Sequence, residues 1–442
     1  MTHTTRRILY AALTVCSLAF AAFIFLNGTS KSTLPELRER TGALADDPAW
    51  PIVKAEVAKL QTELQAKPGD ARTLLQLAKA FMQEGRVTGE FTYYNKAALT
   101  LIGQVLTKEP RNFEAICLKS MVYLSQHRFA EAKELASQAA QVNPHNSFIY
   151  GLLCDAHVEL GNYPEAVAVT DKMVGIRPDI RSYSRVSYLR EIHGDAAGAI
   201  EAIQMAVKSG YPGQEDTEWA RMVLAHLYED TGALDKAEQE YQTALAERPN
   251  YPFALAGLGK IARYRKDYPA AIRYLEQART VMADAAFFEE LIDLYQLNGQ
   301  PDKAAECARV TIAAMLSDNI SANKNRDEGH YSDLELAHLY LKTNDLEKAH
   351  EHARLEHARR PENIDACETL AWVLFKQGKY AEADPFMQKA LRTHSQKPER
   401  LARAGLLKKA LGQQAEGDAL LAQARALKPY LDDPQQAAEL KK

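Results

Sequence analysis

An alanine recurs along this chain at Ala98, Ala132, Ala166, Ala199, Ala237, Ala271, Ala304, Ala349 and Ala383, and Gly417 stands where the next is due. The steps are 34, 34, 33, 38, 34, 33, 45, 34 and 34 residues. Prolines keep the same beat: Pro110, Pro144 and Pro178 lie 34 apart, and Pro361 and Pro429 differ by 68. A unit of this length holds two helices and a turn, too little to bury its own apolar face, so units must stack on their neighbours. The 442 residues therefore predict an array rather than one compact core.

Each unit repeats one local grammar. GNYPEAVAV (161–169), GALDKAEQEY (232–241), KDYPAAIRYL (266–275), GQPDKAAEC (299–307), NDLEKAHEH (344–352) and GKYAEADPF (378–386) open with a residue that closes a first helix (A). A short turn follows, and the alanine then opens the face of a second helix (B). Two antiparallel helices approach closely only where a side chain is small, which explains the alanine. A proline after helix B cannot continue it and sends the chain into the next unit. Ten units emerge between Asp70 and Pro429.

These units resemble the tetratricopeptide-repeat (TPR) family over most of the chain, although Ser395 stands where a closing proline is expected. The resemblance implies an all-α fold, a right-handed α-solenoid of about ten helix hairpins whose A helices line a concave groove. It also implies protein partners. Repeats 1–7 are placed at 70–316 and repeats 8–10 at 334–429, with a linker and capping helix at 32–69 and a polar tail at 430–442. Three steps break the period: RVTGEFTYYN in the first repeat, Gly210–Thr217, and a polar insertion loop at 317–333.

Residues 1–31 form a separate region. Ile8 to Leu26 are nineteen residues without a charge, preceded by Arg6 and Arg7. At 1.5 Å per residue they make ~28 Å of helix, enough to cross a bilayer. Cleavage near Ala21 would release an exported protein; the apolar run through Ala22–Leu26 suits a retained signal anchor. The basic residues before the run favour a single-pass protein whose repeats face out of the cytoplasm.

The net charge of −4 offers no basic excess for nucleic acid. Cys16, Cys117, Cys154, Cys307 and Cys367 form no CxxC pair and nominate no disulfide. No catalytic motif is present, and Gly257-Leu258-Gly259 is a small packing position, not a phosphate loop. His350, His352 and His357, with His330 and His338, are the histidine cluster, but 350 and 357 lie two helical turns apart, too far for one ion. The chain is expected to be no enzyme, with no metal and no small-molecule cofactor.

Binding is expected in the groove of the fourth to seventh repeats, at Arg181, Tyr188, Glu191, Trp219, His226, Glu229, Lys260, Arg263, Glu289 and Asp293. Aromatics there would anchor an extended peptide and charges would set its register. The function expected is a scaffold at the membrane. The alternative is a regulatory or assembly subunit of an enzyme complex of envelope polysaccharide or lipid biogenesis.

Overall fold

The structure, a computed structural model, describes residues 34–324 and 329–429. The chain divides into two units, Met1–Arg38 and Glu39–Lys442. In the first, residues 34–38 are described and carry no regular secondary structure. The apolar run at 8–26 and the tail at 430–442 lie outside the described residues. Among the described residues, no helix is long and apolar enough to cross a membrane.

The second unit is wholly helical among its described residues. After one 3-10 turn and the helix Trp50–Ala66, ten hairpins follow. In order they are Ala71–Thr88 with Phe91–Lys108, Phe113–Ser125 with Phe129–Val142, Ser147–Glu159 with Tyr163–Ile176, Ile180–Ile192 with Ala196–Ser209, and Glu215–Asp230 with Leu234–Glu247. Then come Pro252–Tyr264 with Tyr268–Val281, Ala285–Leu297 with Pro301–Lys324, Asp333–Lys342 with Leu346–Arg359, Ile364–Lys376 with Tyr380–Leu391, and Pro398–Ala410 with Gln414–Leu427.

The tracked alanine sits at the helix crossing of every hairpin that has it, and all nine are buried. In the tenth the helices meet backbone to backbone. A Cβ on Gly417 would lie 2.7 Å from the Gly405 carbonyl oxygen, and one on Gly405 would lie 2.9 Å from that of Gly417. Gly257 is likewise a packing residue, because a Cβ there would enter the Tyr241 ring at 2.3 Å. Replacing Ala166 with leucine should overpack its crossing and cost about 1–3 kcal/mol. Hydrogen exchange should show the third hairpin and its neighbours loosening first; uniform loss along the array would refute nearest-neighbour behaviour.

Each hairpin turns through one left-handed residue, which lets the last amides of helix A reach back to its carbonyls. Seven turns use glycine (89, 161, 194, 232, 299, 378 and 412); the others use His127, Lys266 and Asn344.

Of the three interruptions, Gly210–Thr217 carries the expected loop, at 210–214 between Ser209 and Glu215, while the other two are largely helical. In the first hairpin the extra residues lengthen both helices to 18 residues, against 13 and 14 in the second, and bury Tyr94. The stretch at 317–333, expected as a polar loop, is helical through Lys324. Nothing in SDNISANK breaks a helix, and its spacing buries Asn319 and Ala322. Asn319 is then held by Asp333 Oδ1 at 3.0 Å and by the Ser332 amide at 3.0 Å.

The array closes on itself. The turn of each of the first five hairpins meets the loop that follows the hairpin five places later. A Cβ on Gly89 would touch Met282 and Ala283, one on Gly161 would touch Glu362 and Asn363, one on Gly194 would touch His394, and one on Gly232 would touch Leu427. His127 reaches the Tyr331 carbonyl at 2.9 Å in the same way. A seam of direct contacts thus joins successive superhelical turns.

Candidate functional site: the inner face of the array

Aromatic side chains one repeat apart stack along the start of successive A helices. Trp219 stands edge-on to Phe253 at 5.0 Å, and Phe253 meets Phe287 at 5.8 Å. Trp219 keeps 47% of its surface exposed, a large apolar area in water. Tyr188, 40% exposed, and the exposed Arg181, whose guanidinium lies 5.7 Å over the Phe148 ring, belong to the fourth hairpin.

Charges fill the inner wall beyond these rings. Burial, reinforced by Asp230, lifts the Glu191 carboxyl to about 7, against the pull of Lys397 and then Arg400 from the tenth hairpin. His226 keeps an exposed edge, but the surrounding wall desolvates it, and with Lys260 and Lys428 nearby it is held neutral. Lys428 bonds Asp230 and Glu399, each at 2.9 Å, so the end of the array clasps the fifth hairpin. Across the wall, Arg400 donates to Glu368 at 2.7 Å and Asp365 at 2.6 Å, and Arg403 donates to Glu368 at 2.8 Å. A cleft of ≈ 320 Å³ runs along this side, lined among others by Glu159, His338, Arg360 and Lys397.

Three residues expected to present themselves to a ligand are instead buried in the wall. Glu229 accepts the hydroxyl of Tyr241, and Tyr264 lies 3.4 Å away. Arg263 donates to Glu290 at 2.7 Å and lies 3.6 Å from Asp293, which also accepts from Lys342 at 2.7 Å. The Arg263, Glu290, Asp293 and Lys342 charges hold adjacent A helices together, while Glu229 ties helix A of its hairpin to helix B. Lys260 and Glu289 are half-buried neighbours of this network.

Sequence reading missed the cluster of Asp365, Glu368, Lys397, Arg400 and Arg403. One signal was available: Asp365 and Arg400, like Glu368 and Arg403, are opposite charges one repeat apart. The suspected histidines do not converge. His352 pairs with Asp333 at 2.6 Å, His357 lies edge-on to Phe386, and His330 bonds the Ser125 carbonyl at 3.0 Å. Cys117, Cys154, Cys307 and Cys367 are free thiols, and burial pushes the first two up to about 12.

Glu289 offers a measurable pH response. Burial lifts its carboxyl to about 8, with Lys342 pulling the other way. A carboxyl raised on folding adds stability below its unfolded pKa, and that stability is lost as pH rises through the folded value. Glu289→Gln removes the ionisation. The variant should match the parent near pH 4, below the unfolded pKa, and gain about 1–2 kcal/mol over it by pH 9, since part of Glu289 stays in water. Melting curves across that range would test it; a gap that does not widen with pH would contradict the assignment.

A stack of antiparallel helix hairpins with a charged, partly aromatic inner face defines a helical-repeat protein. Tetratricopeptide-repeat family models match residues 123–190, 193–252 and 364–396. The chain is a tetratricopeptide-repeat protein. It is 28% identical over 149 residues to Cellulose synthase 1 operon protein C of Komagataeibacter xylinus, a match covering 31% of this chain and 11% of that protein. Among solved structures it is similar to the APC/C hetero-tetramer Cut9–Hcn1, with a TM-score of 0.48 at 16% identity over 77% of this chain and 61% of that one. It is similar also to a thermophilic TPR protein of Thermus thermophilus, with a TM-score of 0.37 at 22% identity over 47% and 98%.

Proposed function

We propose that this protein is a non-catalytic scaffold that holds an extended segment of a partner protein along its inner face. The observation that carries the proposal is the Trp219–Phe253 pair, in which Trp219 is half open to solvent, beside a wall rich in fixed charge. Such a surface supplies a desolvated anchor with charges around it to set register. TPR proteins as a class mediate protein–protein interactions, which supports the reading.

The test is a photo-crosslinking residue placed at position 219, with Ile52 on the first helix, also exposed, as the control position. A specific adduct from 219 and none from 52 is expected. Trp219→Ala should then weaken that partner by ~2 kcal/mol or more. Lys260→Glu should slow association most at low salt if Lys260 steers an acidic segment. Arg263 does not serve for charge reversal, because its buried ion pairs would be broken at the same time. Equal labelling from both positions, or binding unmoved by Trp219→Ala, would remove the groove from consideration.

A second reading, assembly or regulation of a cell-envelope enzyme complex, is favoured by the likeness to the cellulose synthase operon protein. The uncharged run at 8–26 supports a membrane-anchored form with the repeats outside the cytoplasm. A reporter fused after Lys442 should behave as exported; cytoplasmic reporter activity would reverse that orientation.

A further inference from the structure

We propose that His127, His330 and Glu335 form a binding site for a zinc-class divalent metal that clasps two superhelical turns together. The residues come from the turn of the second hairpin and from the start of the eighth, 203 residues apart for the two histidines. One nitrogen from each ring and one carboxylate oxygen lie within 4.8 Å of one another, and the ring centroids are 4.0 Å apart.

The donors are prepared for a cation. His127 Nδ1 lies 2.9 Å from the Tyr331 carbonyl oxygen, and His330 Nδ1 lies 3.0 Å from that of Ser125. A carbonyl only accepts, so each Nδ1 carries its ring's proton and each Nε2 keeps its lone pair. That backbone anchoring of the far nitrogen is how metal-binding histidines are oriented. Glu335 Oε2 is buried and has no hydrogen-bond partner, an omission that a metal ion repairs.

His127 adds a third observation. It occupies the left-handed turn position, φ +57°, where seven of the ten hairpins use glycine. A side chain is kept there against backbone strain, and that side chain faces His330. The Tyr331 amide also donates to the Gln126 carbonyl at 3.3 Å, so the two segments are held in register. The arginines nearest the site are already matched: Arg359 by Asp333 and Glu356, and Arg360 by Glu356 and Glu159.

Two imidazoles and one carboxylate suit zinc, cobalt and their neighbours rather than calcium or magnesium. Zinc with bonds of about 2.0–2.1 Å would draw the donors roughly an ångström closer. Three protein ligands leave one tetrahedral position facing the cleft that His127 and Glu335 also line, where water or a partner's side chain would complete it.

The test uses the untagged full chain in detergent, stripped with chelator and titrated with zinc chloride by calorimetry. One equivalent should bind, and cobalt chloride should give the visible bands of a four-coordinate site. Glu335→Gln, which preserves shape, and His127→Asn, which tolerates the left-handed turn, should each weaken zinc at least tenfold. His145→Ala, an exposed histidine elsewhere, should leave it unchanged. Far-UV circular dichroism and the melting point of the stripped variants establish that they are folded. Zinc binding that survives both substitutions, or no stoichiometric binding by the parent, overturns the proposal.

Discussion

Replacing Gly161 with valine is expected to open the superhelix while leaving its hairpins helical. Gly161 sits at φ +77°, and a Cβ there would lie 2.0 Å from the Glu362 carbonyl oxygen and 2.6 Å from the Asn363 amide nitrogen. Neither backbone atom can move without breaking the seam. That seam includes the Ile364 amide donating to the Tyr163 hydroxyl at 3.0 Å and Asn363 Nδ2 donating to the Glu159 carbonyl at 3.1 Å. It also includes Arg392 donating to the Gly161 carbonyl at 3.0 Å and the Arg360–Glu159 ion pair. Left-handed strain and an orphaned buried amide together should cost about 3 kcal/mol. Gly378 is the control: it has a similar φ, +76°, but nothing stands within 4 Å of its added Cβ. Gly378→Val should carry the strain alone. Small-angle scattering should show a longer particle for Gly161→Val only, at unchanged helical content. Identical profiles for the two variants would mean that the seam does not hold the turns.

Glu368→Ala should destabilise the C-terminal hairpins by about 3 kcal/mol, because it leaves the buried Arg400 guanidinium with the more exposed Asp365 as its remaining charged partner. Arg400 is 2% exposed, and its partners are Glu368 and Asp365; Arg403 loses the same carboxylate. Although burial acts to raise it, Arg400, Arg403 and Lys397 hold the Glu368 carboxyl at about 2. A carboxyl depressed on folding contributes stability above its unfolded pKa, and that contribution is lost as pH falls through the folded value. The destabilisation should therefore be full at neutral pH and shrink between about pH 4.5 and pH 2. Hydrogen exchange should locate the loss in the ninth and tenth hairpins. A variant with unchanged melting behaviour at pH 7 would show that the network contributes no net stability.

The hairpins were legible because their causes are local. The alanine at each crossing, the glycine or asparagine closing helix A and the proline after helix B all act within one period of about 34 residues. Nothing beyond a neighbouring unit is needed to explain why Ala237 is small or why Gly257 faces Tyr241. The stretch at 317–324 reads as loop on its polarity, yet it contains no residue that stops a helix before Gly329. The candidate groove was legible in part. Trp219, Tyr188 and His226 are exposed, whereas Glu229, Arg263 and Asp293 are buried against partners on their own and adjacent hairpins. An amphipathic pattern assigns a side chain to a face but does not tell whether its charge is already matched.

The sequence by itself determined the unit, the number of units and the small residues at each crossing, since each depends on contacts within a hairpin or with the next. The tertiary structure alone decided that the turn of one hairpin meets the loop after the hairpin five further on. That closure is the sum of small rotations over five interfaces, none of which any single repeat records. It is also what brings Lys428 to Asp230, Arg360 to Glu159 and His127 to His330, pairs about 200 residues apart whose electrostatics exist only once the superhelix has come round.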